Sequence, residues 1–245
     1  MVNRRKVFIH VGLPGGSGDF LEIALRRHAH ALAALGVRNP AASAEEMLRG
    51  AVEILREHHA WGYRRSEVEG AWSAICRRGR KGRDTLVVSQ PLLAAATPPQ
   101  IELLFDGLAG LERHVVITAS APDACTMPGD PAHDLVSVVE RWAASARRPE
   151  RVHVLVNRPE DRAGTWAAFG RTAGFGTRSL SVADLATMPG MLPRPAPTER
   201  LTALRSLAHG WIDHLAHGAY DVHGDVIELM PEASVRLPGV LVGGA

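Results

Sequence analysis

The stretch Lys6-Val7-Phe8-Ile9-His10-Val11-Gly12, running straight into Leu13-Pro14-Gly15-Gly16-Ser17-Gly18, decides the fold. Val7 to Val11 is a short, nearly unbroken apolar run of the kind found in strands buried inside a parallel sheet. The glycines permit a tight turn, and a helical stripe follows at Leu21, Leu25, His28, Leu32 and Leu35, stopped by Gly36 and Pro40. In a strand, glycine-rich turn and helix, the N–H groups of the turn and of the first helical turn form a cradle for a phosphate. On that reading Gly12, Pro14, Gly15, Gly16, Ser17 and Gly18 are candidate cofactor-binding residues. The competing reading is a plain tight turn with Asp19 as the helix N-cap. No Lys follows the glycines, so the turn is not a Walker A loop. Leu21 stands where a dinucleotide fingerprint begun by Gly16 and Gly18 would need its third glycine.

Outward from this unit the pattern repeats. Met47, Ala51, Ile54, Leu55 and His58 carry helical spacing behind Ser43, and a third helix is expected from Ser66 to Arg77. Asp84 to Ser89, His114 to Ala119 and Val152 to Val156 read as further buried strands. Helical stripes separate them, at Ile101, Leu104, Phe105 and Leu108 and then at Leu135, Val138, Val139 and Trp142. Trp166, Phe169 and Ala173 follow on another helix, and Leu201, Leu204, Ala208, Trp211 and Leu215 on a last long one. Alternation of this kind calls for an α/β fold, a central parallel sheet flanked by helices on both faces. The whole chain, 1–245, reads as a single domain, with 43–80 a candidate helical insertion. Pro189, Pro193, Pro195 and Pro197 mark 187–198 as a proline-rich flap, and the tail from Asp221 has little periodicity.

Composition narrows the function classes. With 46% hydrophobic and 22% charged residues the chain is an ordinary globular sequence. No run approaches the roughly 18 apolar residues of a membrane span, and Asn3 to Val11 does not make a signal peptide, so a cytoplasmic location is expected, with no membrane partner. A net charge of +2 does not call for nucleic acid. The basic cluster Arg77, Arg78, Arg80, Lys81 and Arg83 has no interleaved aromatics and reads as a solvated loop. Only Lys6 and Lys81 are lysines, which together with abundant alanine suggests a high-GC bacterial genome.

Other chemistry is weakly signalled. Cys76 and Cys125 are too few for a disulfide framework or a metal cluster. His209, Asp213 and His217 lie at i, i+4 and i+8 on the last helix but lack a further indicated ligand, and His58-His59 and His28-x-His30 are equally unanchored, so no metal site is assigned. No Gly-x-Ser-x-Gly and no placed Cys–His pair is present, and no catalytic residue is assigned.

Taken together, the segments resemble the bacterial sulfotransferases. Lys6-Val-Phe-Ile-His-Val-Gly-Leu-Pro14 is similar to the opening strand of that family, which runs into Gly-Leu-Pro-Lys-Thr-Gly-Thr-Thr. Ala34-Leu35-Gly36-Val37-Arg38-Asn39-Pro40 resembles the end of its first helix, and Leu86-Val87-Val88-Ser89 its second strand, which ends in Ser-His-Glu. Leu92 to Pro98 continues the likeness, and His114 to Ala119 resembles the third strand, which leads into Arg-Asp. Arg151 to Val156, Trp166 to Phe169, Gly174-Phe175, Trp211-Ile212 and Tyr220-Asp-Val-His-Gly-Asp225 carry it almost to the end of the chain.

The resemblance implies a P-loop-like three-layer fold and transfer of a sulfuryl group from 3′-phosphoadenosine 5′-phosphosulfate to a hydroxyl or amine. In that chemistry the first turn holds the phosphosulfate and its Lys stabilises charge on the bridging oxygen. An Arg and a Ser after the third strand hold the 3′-phosphate, and a His or Glu near the second strand deprotonates the acceptor. The departures fall at those places. Gly15 replaces the Lys, Ser89-Gln90-Pro91 replaces Ser-His-Glu, and Ser120-Ala121-Pro122 replaces Arg-Asp. Arg178-Ser179-Leu180 is similar to the family's late Asn-Arg-Ser-Leu, and Arg158 follows the fourth strand, so either arginine could hold an anion or be plain surface. Ser120 and Arg178 join the turn residues as the candidate cofactor-binding set. The expectation is a sulfotransferase-like protein that has lost its catalysis and binds a protein or small-molecule partner. The first alternative is an active sulfotransferase with a rewired site, the only case that calls for the phosphosulfate cofactor; another small-molecule transferase is the second.

Overall fold

The computed structural model describes residues 4–13, 19–123, 125–185 and 198–231. It is a three-layer α/β fold. Six parallel strands form one sheet: β1 (Lys6–Gly12), β2 (Val37–Arg38), β3 (Thr85–Ser89), β4 (Glu112–Ala119), β5 (Val152–Val156) and β6 (Asp221–His223), in the spatial order β2-β3-β1-β4-β5-β6. The four strands expected from apolar runs are the four central ones. The two edge strands have only two and three residues.

Alternation along the strands divides the core. Val7, Ile9 and Val11 of β1, Leu86 and Val88 of β3, Val115 and Ile117 of β4, and Val152 and Val154 of β5 face one helical layer. That layer contains α3 (Ala44–Leu55), α5 (Ala71–Arg80), α6 (Pro98–Gly107), α7 (Leu135–Ala146) and α9 (Thr198–His217). Phe8, Val87, Val116 and Leu155 face the other, made by α1 (Asp19–Arg27), α2 (Ala29–Ala34) and α8 (Arg162–Ala173). Both faces are covered, which is why these strands carry near-continuous apolar runs. The segment 43–80, through Met47, Ile54 and Ile75, packs into the same core as α6 and α7.

Local sequence explains the helix limits. Ser43 accepts a hydrogen bond from the Glu46 N–H at 3.0 Å and starts α3. Gly174, at φ +80°, ends α8, with the Phe175 N–H donating to the Gly170 carbonyl. The first expected helix is interrupted at His28, whose ring reaches the Ser181 carbonyl at 2.9 Å; its stripe ends at Leu32, and Leu35 is exposed. The expected third helix is two: α4 (Arg65–Val68) and α5, separated by Gly70 at φ +87°. The proline-rich flap lies outside the described residues, apart from Thr198, which opens α9.

Candidate functional sites at the two edges of the sheet

In an open parallel sheet ligands bind beyond the carboxyl ends of the strands, at the point where strand order reverses. Here β1 is that point, with β3 on one side and β4 on the other. Gly12 pairs with Thr118 there, and the Leu13 N–H donates to the Thr118 carbonyl at 3.4 Å. Pro14, Gly15, Gly16, Ser17 and Gly18 lie outside the described residues. Ser120 is buried beside Leu13, around a void of only about 10 Å³ shared with Asp123, Thr126, His133 and Trp211. That is room for one water. Gln90, at the end of β3, is buried and turned back on its own loop, accepting from the Leu92 N–H at 3.5 Å. Arg158 is exposed, 3.3 Å from Glu228. Arg178 is exposed on the segment returning from α8, and no hydrogen bond among the described residues joins it to Ser120.

Just below this edge a polar bridge crosses three strands. His10 Nδ1 lies 2.8 Å from Ser89 Oγ and His10 Nε2 lies 3.1 Å from Thr118 Oγ1. The His10 ring has no solvent exposure, and burial pushes its pKa down to about 3. A Ser–His pair of this kind resembles a nucleophile with its base, but both residues are fully buried. The two hydroxyls satisfy a neutral imidazole in either tautomer, so the bridge cross-links the sheet.

The amino ends of the strands hold a second constellation that sequence reading did not assemble. Glu112 Oε1 is 2.9 Å from His114 Nε2, His114 Nδ1 is 2.9 Å from His153 Nε2, and His153 Nδ1 is 2.6 Å from Asp221 Oδ2. Asp221 Oδ2 is also 2.9 Å from His223 Nε2, and Thr172 Oγ1 lies 3.4 Å from that same nitrogen. The centroids of His114 and His153 are 5.2 Å apart with planes at 16°, a separation equal to the N···N distance plus two ring radii. The rings therefore meet edge to edge, in hydrogen-bond geometry rather than as a stack. Burial lowers the pKa of both. Glu112 is held below the usual carboxylate range by the His114 hydrogen bond, with Arg151 close by. For Asp221, burial pulls the pKa up, but hydrogen bonds from His153 and His223 outweigh it and the net shift is downward.

This relay borders a cleft of about 560 Å³ whose walls include Arg4, Arg5, Lys6, Phe8, Arg83 and Thr172. Phe8 stacks on His114 at 4.8 Å, and Thr172 touches His223. The histidines of α9 form no comparable group: His209 Nδ1 meets the Arg205 carbonyl and His217 Nδ1 the Asp213 carbonyl, each on its own helix. The basic cluster begins in the last turn of α5, where Arg78 meets Glu46 and the Pro40 carbonyl and Arg80 the Gly107 carbonyl.

Comparison with protein-family models, with curated protein sequences and with solved structures gave no match. Among the described residues, no helix is long and apolar enough to cross a membrane.

Proposed function

We propose that the chain is a sulfotransferase-like α/β protein without sulfuryl-transfer activity, which acts by binding a partner. One observation carries the reading. Where the strands at the switch point end, the described side chains include Leu13 and Ser120, beside a void with room for a single water, and Gln90, turned back on its own loop. A phosphosulfate donor needs cations at those ends. Each missing charge-assisted hydrogen bond removes about 1.5–3 kcal/mol of binding. Loss of a Lys and an Arg together therefore costs several decades of affinity.

The test is calorimetric titration with adenosine 3′,5′-bisphosphate beside a sulfuryl-transfer assay with the phosphosulfate donor. The expected outcome is no binding at about millimolar ligand, a Kd region worth only about 4 kcal/mol, and no transfer. Micromolar binding would overturn the proposal in favour of a working enzyme with a rewired site.

A further inference from the structure

The relay at the amino ends of β4, β5 and β6 is short of a proton when its parts are counted. Two carboxylates and three imidazoles are joined by four close contacts: Glu112–His114, His114–His153, His153–Asp221 and Asp221–His223. Each contact needs one N–H between its two heavy atoms. A neutral imidazole carries one N–H, so three neutral rings supply three. If Glu112 takes the N–H of His114, then His114 Nδ1 must accept from His153 Nε2. His153 Nδ1 then presents a lone pair to Asp221 Oδ2 at 2.6 Å. If the chain runs the other way, the same conflict moves to His114 and Glu112. Whichever way the chain runs, one contact in the line is left with two lone pairs and no hydrogen between them.

We propose that His153 Nδ1, Asp221 Oδ2 and His223 Nε2 form a binding site for a divalent transition-metal ion of the zinc type, which fills the contact left without a hydrogen. The three ligand atoms lie within 4.8 Å of one another. Two imidazoles and a carboxylate, with further positions open to water, are a ligand set suited to such an ion. Asp221 is 46% exposed, so water completes the sphere from the solvent side. Tetrahedral zinc at its usual bond lengths separates ligand atoms by about 3.3 Å. The contacts of 2.6 and 2.9 Å open slightly and the third separation, within 4.8 Å, closes, on a three-residue edge strand.

The rest of the relay then serves the ion. His153 Nε2–H donates to His114 Nδ1, and His114 Nε2–H donates to Glu112, which fixes the tautomer and plane of the ligating ring. The lone pair left facing Asp221 in the metal-free count is the one that coordinates. The site stands at the opposite edge of the sheet from the sulfotransferase-like positions and does not depend on the function proposed for them. No covalent step is involved; the ion occupies the contact that lacks a hydrogen.

The experiment is calorimetric titration of the full chain with Zn²⁺ at neutral pH. The expected result is one high-affinity ion per chain. His223→Ala and Asp221→Asn, both on the short edge strand, should each weaken binding on the order of tenfold or more. His58→Ala/His59→Ala, on a His pair remote in sequence from the site, should not change it. Long-range ¹H–¹⁵N spectra of the imidazoles provide a readout independent of affinity, and His153 Nδ1 should shift as a coordinated nitrogen. The proposal is overturned by no stoichiometric binding at about 100 µM Zn²⁺, by binding that survives both edge-strand variants, or by spectra in which His153 is unaffected.

Discussion

Replacing His10 by glutamine should change how stability responds to acid, and by a calculable amount. The imidazole is held neutral in the folded chain, with its pKa pushed down to about 3 by burial. In the unfolded chain it titrates at its ordinary value near 6.5. Between those two values the unfolded state binds the proton and the folded state does not, so stability falls as pH is lowered from 6.5 towards 3. At about 1.4 kcal/mol per unit, His10 alone should withdraw about 3 kcal/mol of stability by pH 4. That is a large share of the 5–15 kcal/mol typical of a domain. His10→Gln cannot titrate, and at pH 7 it should cost about 1–3 kcal/mol through poorer bonding to Ser89 and Thr118. Urea unfolding of both proteins from pH 7 to pH 4 is the assay. Other groups, His114 and His153 among them, titrate in both chains and cancel in the difference. The gap between the two should therefore narrow by about 3 kcal/mol on going to pH 4, enough to close or invert it. Parallel stability curves would refute the reasoning, because they would mean that His10 carries its proton in the folded sheet or gains none on unfolding.

Three further outcomes are expected. Trp142 is fully buried with its indole N–H unpartnered among the described residues, so Trp142→Phe should cost under about 1.5 kcal/mol and Trp142→Ala about 3–5 kcal/mol in chemical denaturation. Gly224 has φ +97° and a Cβ there would lie 2.2 Å from the Val156 carbonyl oxygen; Gly224→Ala should lose about 2–4 kcal/mol, read as a drop in Tm. Cys125 is exposed, whereas burial pushes the Cys76 thiol up to about 11, so Ellman's reagent at pH 8 should label one thiol quickly and the second only in denaturant.

The sheet was legible in the sequence wherever a strand is buried on both faces. Val7 to Val11, Leu86 to Ser89, Val115 to Ala119 and Val152 to Val156 stand out because nothing polar is needed on either side. The edge strands were not legible: Val37-Arg38 and Asp221-Val222-His223 are too short to show a period. The relay was hidden for a different reason. His114 and His153 were visible as single interruptions of apolar runs, but their meeting depends on the β4–β5 register, with Val116 opposite His153. Asp221 joins through a further pairing across 68 residues of chain. A signal was present, since each histidine falls at a position facing the α1–α8 layer while its neighbours face the other layer. It could be read only after the strand order was known. At the opposite edge the sequence spoke more directly, because Gly15, Gln90 and Ser120 are absences of charge at recognisable places.

The brevity of β2 and β6 bears on how the molecule behaves in a crowded solution. A parallel sheet that ended in a long, flat, apolar strand would offer its unpaired backbone groups to any neighbouring chain. This sheet is widest at β1 and β4, with seven and eight residues, and tapers to two and three at its margins, where Arg38, Asp221 and His223 stand. An intruding strand would find too few amides to pair with and polar side chains beside them, so the fold resists edge-to-edge growth while keeping an all-parallel interior.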